Sequence, residues 1–371
     1  MDNLRYWLGF NCVRGIGPVR LRALLDVFGD VQTAWEAPAE ALRAVRLDAR
    51  SLRNLLQVRK EVNLDHLLRK VTESGAQVLT WESSDYPAIL KEIPDPPPLL
   101  FVKGHLCPED EWAIAMVGTR KATTYGREVA RRLARDLAQN GVTVVSGLAR
   151  GVDGIAHRAA LEAGGRTLAV LGSGVDVIYP PEHRQLASQI AENGAVISDY
   201  PLGTKPEACN FPARNRIISG LSLGVLVVEA GVRSGALITA GFAADQGRDV
   251  FAVPGNILSP ASTGCNQLLR DGAAVITEAR DVLDALHLDR LPEQQVMRAL
   301  LPANEIEAAI LEHLTAEPQH IDSLSRETQL PVAVVSSNLA IMELKGMVRQ
   351  VGALQYVLAR ESSAEYHYDN C

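Results

Sequence analysis

The stretch from Ala113 to Gly151, AIAMVGTRKATTYGREVARRLARDLAQNGVTVVSGLARG, admits few folds. AIAMV is a short apolar run that stops at Gly118, the pattern of a strand buried on both faces. Thr123 and Thr124 are the candidate N-caps of a helix in which Val129, Leu133 and Leu137 recur at helical spacing. VTVVS is a second buried strand. Strand, helix and strand form one βαβ unit, and such units wind right-handed into a parallel sheet. Ligands of these sheets sit at the carboxyl ends of the strands. The two loops there, GTRKATTYG and SGLARG, each set a cation beside glycines. Gly118, Thr119 and Arg120 in the first, with Ser146, Gly147 and Arg150 in the second, suit a phosphate. Glycine lets backbone N–H groups approach, a helix N-terminus faces the anion, and arginine adds charge.

This is not a nicotinamide site. The first turn lacks G-x-G-x-x-G, and the second strand ends in Ser146-Gly147 where a ribose-binding acid would stand. Nor does a G-K-[ST] follow, so it is not a P-loop. A net charge of -7 gives the chain no global basic field. Five cysteines (12, 107, 209, 265 and 371) are scattered without paired spacing and read as reduced thiols, not as disulfides or a zinc site. The first twenty residues show no signal-peptide pattern and no apolar run spans a bilayer, so a cytoplasmic protein without membrane contact is expected.

The α/β pattern continues with strand candidates at 166–172, 194–200, 224–230, 248–255 and 273–278. Helices are expected to start near Asp153, Glu182, Pro212, Ser234 and Gly264. The domain organisation read from these patterns is helical over 1–84, α/β over 85–286, a linker over 287–302, a winged helix over 303–360 and a tail over 361–371. In the helical part, GIGPVRLRALL resembles a helix–hairpin–helix, whose glycine turn can touch a nucleic-acid backbone. The segment 1–80 is mildly basic, with 12 Lys or Arg against 9 Asp or Glu. Residues 85–104 hold four prolines between 94 and 98 and are expected to be extended, strapping the sheet and joining two domains. After residue 303, three helical patterns and two short strands spell a winged helix–turn–helix. That segment carries 4 Lys or Arg against 10 Asp or Glu, the opposite of what duplex DNA needs.

Cations gather again at Lys205, Arg214, Arg216 and, farther off, Arg233, with Phe211 among them. Backbone neutralisation plus an exposed ring is what a single strand requires; the alternative is that Phe211 packs in the core. Arg214 and Arg216 are two residues apart and cannot share one helix face, so one of them is expected to be structural. Ser234 and Gly235 open another helix in an anion-receptive turn. Asp153 is expected to cap its helix, with His157 one turn later on the same face. Without a nucleophile motif beside them, the pair reads as scaffolding of the loop.

Together AMVGTRKAT, VVSGLARGVDGIAHRAALEAGGRTLAVLGSGVD, FPARNRIISGLS, SGALITA and FAVPGNILSPASTGCNQLLRDGA resemble the DNA-processing protein A family (DprA, also called Smf) from about 85 to 280. The resemblance implies an extended Rossmann-like parallel sheet, flanked by an N-terminal helical, SAM-like domain and a C-terminal winged helix. It implies a homodimer that binds single-stranded DNA in natural transformation, protects incoming strands and loads the RecA recombinase. On matching positions it places strand contacts at Arg120, Lys205, Phe211 and Arg214, with Asn215 holding the loop. No catalytic residue, cofactor or metal is expected. The rival reading is a nucleotide phosphoribohydrolase on a related Rossmann fold, which uses PGGxGTxxE. The comparable segment here is AGVRSGALITA, with Ile238 or Thr239 where that glutamate would stand, and Glu229 earlier, at a strand end. A duplex-binding regulator built on the winged helix is a third reading, disfavoured by charge.

Overall fold

The computed structural model describes residues 3–45, 47–288, 304–314, 318–345 and 347–358. Most of the expected linker and the whole expected tail lie outside them. The chain divides into two compact units, 1–289 and 290–371.

The first unit opens with six helices: α1 (Leu4–Asn11), α2 (Pro18–Phe28), α3 (Val31–Glu36), α4 (Ala39–Ala44), α5 (Ala49–Glu61) and α6 (Leu64–Ser74). Pro18 starts α2, where its missing N–H costs nothing, and Asp30 and Asp48 cap α3 and α5 through backbone N–H groups. Trp7, Phe10, Leu21, Leu24, Trp35, Leu42 and Leu55 form their core, with Phe10 and Trp35 edge to face at 5.1 Å. Each such side chain taken out of water contributes on the order of 1.5–3 kcal/mol. The same core takes in Leu99 and Phe101 of the sheet and Leu202 of a loop, so the helical layer rests on the sheet's end.

The sheet comprises β1 (Gln77–Thr80), β2 (Leu99–Gly104), β3 (Ala113–Val117), β4 (Thr143–Ser146), β5 (Thr167–Val170), β6 (Ala195–Ser198), β7 (Gly224–Val227), β8 (Asp249–Ala252) and β9 (Ala274–Val275). Their spatial order is β1-β2-β6-β5-β4-β3-β7-β8-β9. The strands from β6 to β9 in that order run parallel, while β2 is antiparallel to β6 and to β1. Between them run α7 (Ala88–Lys91), α8 (Thr124–Gln139), α9 (Val152–Glu162), α10 (Arg184–Asn193), α11 (Asn210–Gly220), α12 (Gly235–Asp245), α13 (Thr263–Arg270) and, after β9, α14 (Ala279–Ala285). Every residue of β3 and β4 is buried, as their unbroken apolar runs require. Helix α8 buries Ala130, Leu133, Ala134, Leu137 and Ala138, one stripe at helical spacing, and Thr123 is its N-cap.

The segment 85–104 departs from its expected role. Its prolines do exclude a long helix, and Ala88–Lys91 makes only a single turn. But Leu99–Gly104 is a strand of the sheet, hydrogen-bonded on both sides to β1 and β6, not a strap across it. Leu99, Leu100, Phe101 and Val102 are all buried, so both faces of this strand are covered. The sheet therefore reaches back to Gln77, ahead of the expected boundary between 84 and 85.

The second unit holds α15 (Glu305–His313), β10 (Gln319–His320), α16 (Ile321–Thr328), α17 (Val332–Leu344), β11 (Val348–Gly352) and β12 (Gln355–Leu358), with strand order β10-β12-β11. Ile310, Leu324, Val335, Leu339, Met342 and Tyr356 form its core. This is a winged helix, with one more short strand than the sequence pattern suggests. Gln319-His320 has no apolar alternation, and only its pairing with β12 reveals it. The ammonium of Lys345 lies 2.7 and 3.0 Å from the two carboxylate oxygens of the buried Glu307. The solvent side of α17 presents Val332, Ala333, Ser336, Ser337, Ala340 and Ile341, with no cation among them. Among the described residues of both units, no helix is long and apolar enough to cross a membrane.

Candidate nucleic-acid interface

The strand order reverses between β3 and β7, with β4, β5 and β6 on one side and β8 and β9 on the other. At such a switch point the loops part and leave a crevice. Here it opens as a groove of about 950 Å³ at the carboxyl ends of the strands. Gly118, Thr119 and Arg120 line it from the loop after β3, Ala149 from that after β4 and Asp153 from the start of α9, Phe211, Arg214 and Asn215 from α11, and Arg233, Ser234 and Gly235 from the turn that opens α12.

Backbone chemistry shapes both loops. Gly151 has φ +76°, and a Cβ there would strike the backbone of Thr119 and Arg120, so only glycine lets the two loops touch. A Cβ on Gly147 would meet the guanidinium of Arg214 at 2.6 Å and the carboxylate of Asp153 at 2.8 Å. Asp153 does not cap α9, whose N-cap is Gly151; its Oδ2 accepts from Gly147 N (3.2 Å) and Ala149 N (3.3 Å) and so folds the loop back on itself. His157 is fully buried with Nδ1 2.6 Å from Thr167 Oγ1, a scaffold position away from the groove lining.

The expected site residues separate into three groups. Gly118, Thr119, Arg120, Phe211, Asn215, Ser234 and Gly235 come together around the groove. The guanidinium of Arg120 lies over the Phe211 ring, 5.3 Å from its centroid. Phe211 is half-buried; the Tyr179 ring lies beside it with centroids 5.8 Å apart, and Gly172 sits against its edge. The Asn215 amide donates to Gly235 O (3.4 Å), bridging the two walls, and the Ser234 hydroxyl accepts from Ala236 N at the start of α12.

A second group stands beside the groove. Lys205 is exposed on the loop between β6 and α11, whose Pro206 and Ala208 line the groove. Arg150 is exposed but pairs with Glu182 at 2.6 Å, which raises its pKa.

The third group is committed to structure. Ser146 is fully buried, its hydroxyl donating to Met116 O (2.6 Å), and Gly147 is buried beneath its loop. Arg216 is tied to Asp199 (2.8 Å) and Asp95 (3.5 Å) and donates to Asp95 O, so it is the ion-paired member of the Arg214–Arg216 pair. Arg214 reaches the groove floor, yet it is only 4% exposed and donates to Gly147 O (3.0 Å). Burial pushes its pKa down to about 10, against the pull of Asp153.

Two residues acquire roles that the sequence reading did not give them. Tyr179 packs on Phe211 and widens the aromatic surface. Glu229 is buried at the end of β7 and accepts from Thr123 N (2.9 Å) and Thr123 Oγ1 (2.5 Å). It holds the N-terminus of α8, the place where a Rossmann fold would seat a nucleotide phosphate. Its strand-end position was visible in the sequence, but its partner lies 106 residues away along the chain.

Comparison with known proteins gives this geometry a lineage. Residues 77–287 match the family model of DNA recombination-mediator protein A, and residues 294–353 match the DprA winged helix domain. Protein Smf of Synechocystis sp. is 37% identical, over 95% of this chain and 98% of that one. The X-ray structure of DNA processing protein A from Streptococcus pneumoniae superimposes with a TM-score of 0.67 at 34% identity, covering 76% of this chain and 97% of that one. A structure of DNA processing protein A from Helicobacter pylori, described by its single-stranded DNA binding mode, gives a TM-score of 0.52 at 33% identity, covering 57% of this chain and 97% of that one. With its central sheet and its winged helix both matched, and a relative aligned over nearly its full length, this chain belongs to the DNA recombination-mediator protein A family.

Proposed function

We propose that the protein is a cytoplasmic, non-enzymatic binder of single-stranded DNA that acts in natural transformation as a homodimer, protecting incoming strands and loading RecA on them. The observation that carries this reading is the Arg120 guanidinium over a half-buried Phe211 ring, in an open groove at the sheet's switch point. A ring that can stack on a base beside a cation that can meet a phosphate is the minimal unit of sequence-independent strand binding. The Helicobacter pylori relative, described as binding single-stranded DNA, supports it. The phosphoribohydrolase reading loses ground because Ile238 and Thr239 offer no carboxylate and Glu229 is spent on holding Thr123, the N-cap of α8. Light scattering tests the dimer, and a RecA strand-exchange assay with and without the protein tests loading.

For the groove itself, the Arg120→Ala/Lys205→Ala variant is expected to bind an oligothymidylate more weakly. The log–log salt slope should shrink by roughly 0.7 per lost phosphate contact. Phe211→Ala is expected to cost about 1–3 kcal/mol of binding. Melting measured on the same preparations separates contact from folding. Unchanged affinity in both variants would remove the groove from the account.

The winged helix is expected not to contribute duplex binding. Its only cation at the end of α17, Lys345, is already neutralised by Glu307. Duplex affinity rests mainly on phosphate neutralisation. In gel shifts at physiological salt, residues 300–371 alone should leave duplex DNA unshifted, and residues 1–300 should bind single strands at least as well as the full chain. A tight duplex complex of the isolated segment would show that charge misleads here.

A further inference from the structure

The helix–hairpin–helix pattern near the N-terminus has no part in the groove, yet the fold presents it in a definite way. The turn between α1 and α2 exposes Gly15 and Gly17 around the buried Ile16. Helix α5 packs against this turn: Ser51 donates to Gly15 O (3.2 Å) and Asn54 to Arg14 O (2.7 Å). Arg50 and Arg53 flank those two residues on the same helix and both are exposed, as is Arg14 on the turn. Among the described residues none of these three arginines has an ion pair. Asp48, the acid at the start of α5, is already paired with Arg20 at 2.7 Å. The result is a local patch of three uncompensated positive charges on a chain whose net charge is -7.

The position of this patch matters as much as its charge. Asn11, the last residue of α1, donates from its side-chain amide to Asp199 O (2.9 Å). Asp199 begins the loop that carries Lys205 and supplies Pro206 and Ala208 to the groove. Leu202 of that loop is packed into the helical core. The hairpin is thus fastened to the groove's own wall, on the side where Lys205 stands.

We propose that Arg14, Arg50 and Arg53 form a second backbone-binding surface for the same single strand, engaged by the nucleotides that leave the groove past Lys205. This rests on the groove reading above, and it adds a length requirement to it. The contacts are to phosphates, so they carry register and affinity but no sequence preference. Clustered cations on an acidic chain also draw the strand locally, where the whole protein would not.

The test uses the full chain, wild type and Arg14→Ala/Arg50→Ala/Arg53→Ala, against two oligothymidylates. One has ~6 nucleotides, enough for the groove, and the other ~30, enough to run beyond it, bracketing the site sizes known for stacking platforms. The variant is expected to bind the short oligonucleotide as wild type does. It should bind the long one at least tenfold more weakly, with a salt slope reduced by up to about 2. Equal loss on both lengths, or no loss on either, overturns the proposal. So does preferential binding of a ~30-base-pair duplex through the same three arginines. Wild-type binding to the long strand that depends on these arginines, without any binding to the short one, would sink the groove reading and leave the patch standing. Melting curves of the variant, expected to match wild type because all three side chains are exposed, verify that it is folded.

Discussion

Arg214→Met is expected to lower unfolding stability by about 3–5 kcal/mol, the cost of removing one partner from a buried charge constellation. Arg214 is buried beneath the loop after β4, donates to Gly147 O and lies close enough to Asp153 for each to pull the other's pKa toward the charged form. Removing the guanidinium leaves a buried carboxylate whose remaining partners are two backbone N–H groups. If that is the cause, Arg214→Met/Asp153→Asn should recover part of the loss, because the uncompensated charge is then gone as well. Urea denaturation of the two variants and wild type checks this. The rival role, a direct strand contact, makes a different forecast: Arg214→Met would melt near wild type and lose affinity. Near-normal melting with weakened binding would return Arg214 to the list of contacts. Our expectation is that Arg214 positions the loop and that Arg120 and Lys205, both exposed, meet the DNA.

Whether a feature was legible in the sequence depended on whether its cause was local. The βαβ unit could be read because the apolar runs of β3 and β4 and the stripe on α8 are short-range patterns, and Thr123 as N-cap is a property of its own turn. The loops after β3 and β4 were found for the same reason. Strand β2 was missed because four prolines just ahead of it dominate the segment, and its strand character comes from pairing with β1 and β6. Arg214 and Arg216 could be recognised as unlike from their spacing. Which one is ion-paired depended on Asp95 and Asp199, distant in the chain and brought close only by the fold. Ser146 looked like a phosphate ligand because it precedes glycine at a strand end, but the strand's last side chain turns inward to Met116 O. Burial of a polar residue is a tertiary fact, and nothing near Ser146 or Glu229 in sequence announces it.

Burial of His157 has a consequence that pH can reveal. Thr167 Oγ1 donates to Val144 O (2.6 Å), so it accepts from His157 Nδ1, which therefore carries the ring's proton. Among the described residues the ring's buried Nε2 has no hydrogen-bond partner, and a second proton there would find no acceptor among them. Burial first, then the neighbouring His183 and the cations Arg158 and Arg214, push the His157 pKa down to about 3. The unfolded chain takes up this proton near pH ~6.5. Between those two values the unfolded state binds the extra proton and the folded state does not. Stability contributed by neutral His157 is therefore complete above about pH 6.5 and is lost as pH falls toward 3, by roughly 1.4 kcal/mol per pH unit. At pH 5 the loss is about 2 kcal/mol relative to pH 7. His157→Leu replaces the ring with an apolar side chain that does not titrate, and it has its own packing cost at every pH. The informative quantity is therefore the difference between wild type and variant as a function of pH. Urea midpoints from pH 7.5 to 4.5 should show wild type losing its advantage on acidification, with most of the change below pH 6.5. A gap that stays constant across this range would mean that the folded protein protonates His157 as readily as the unfolded chain does.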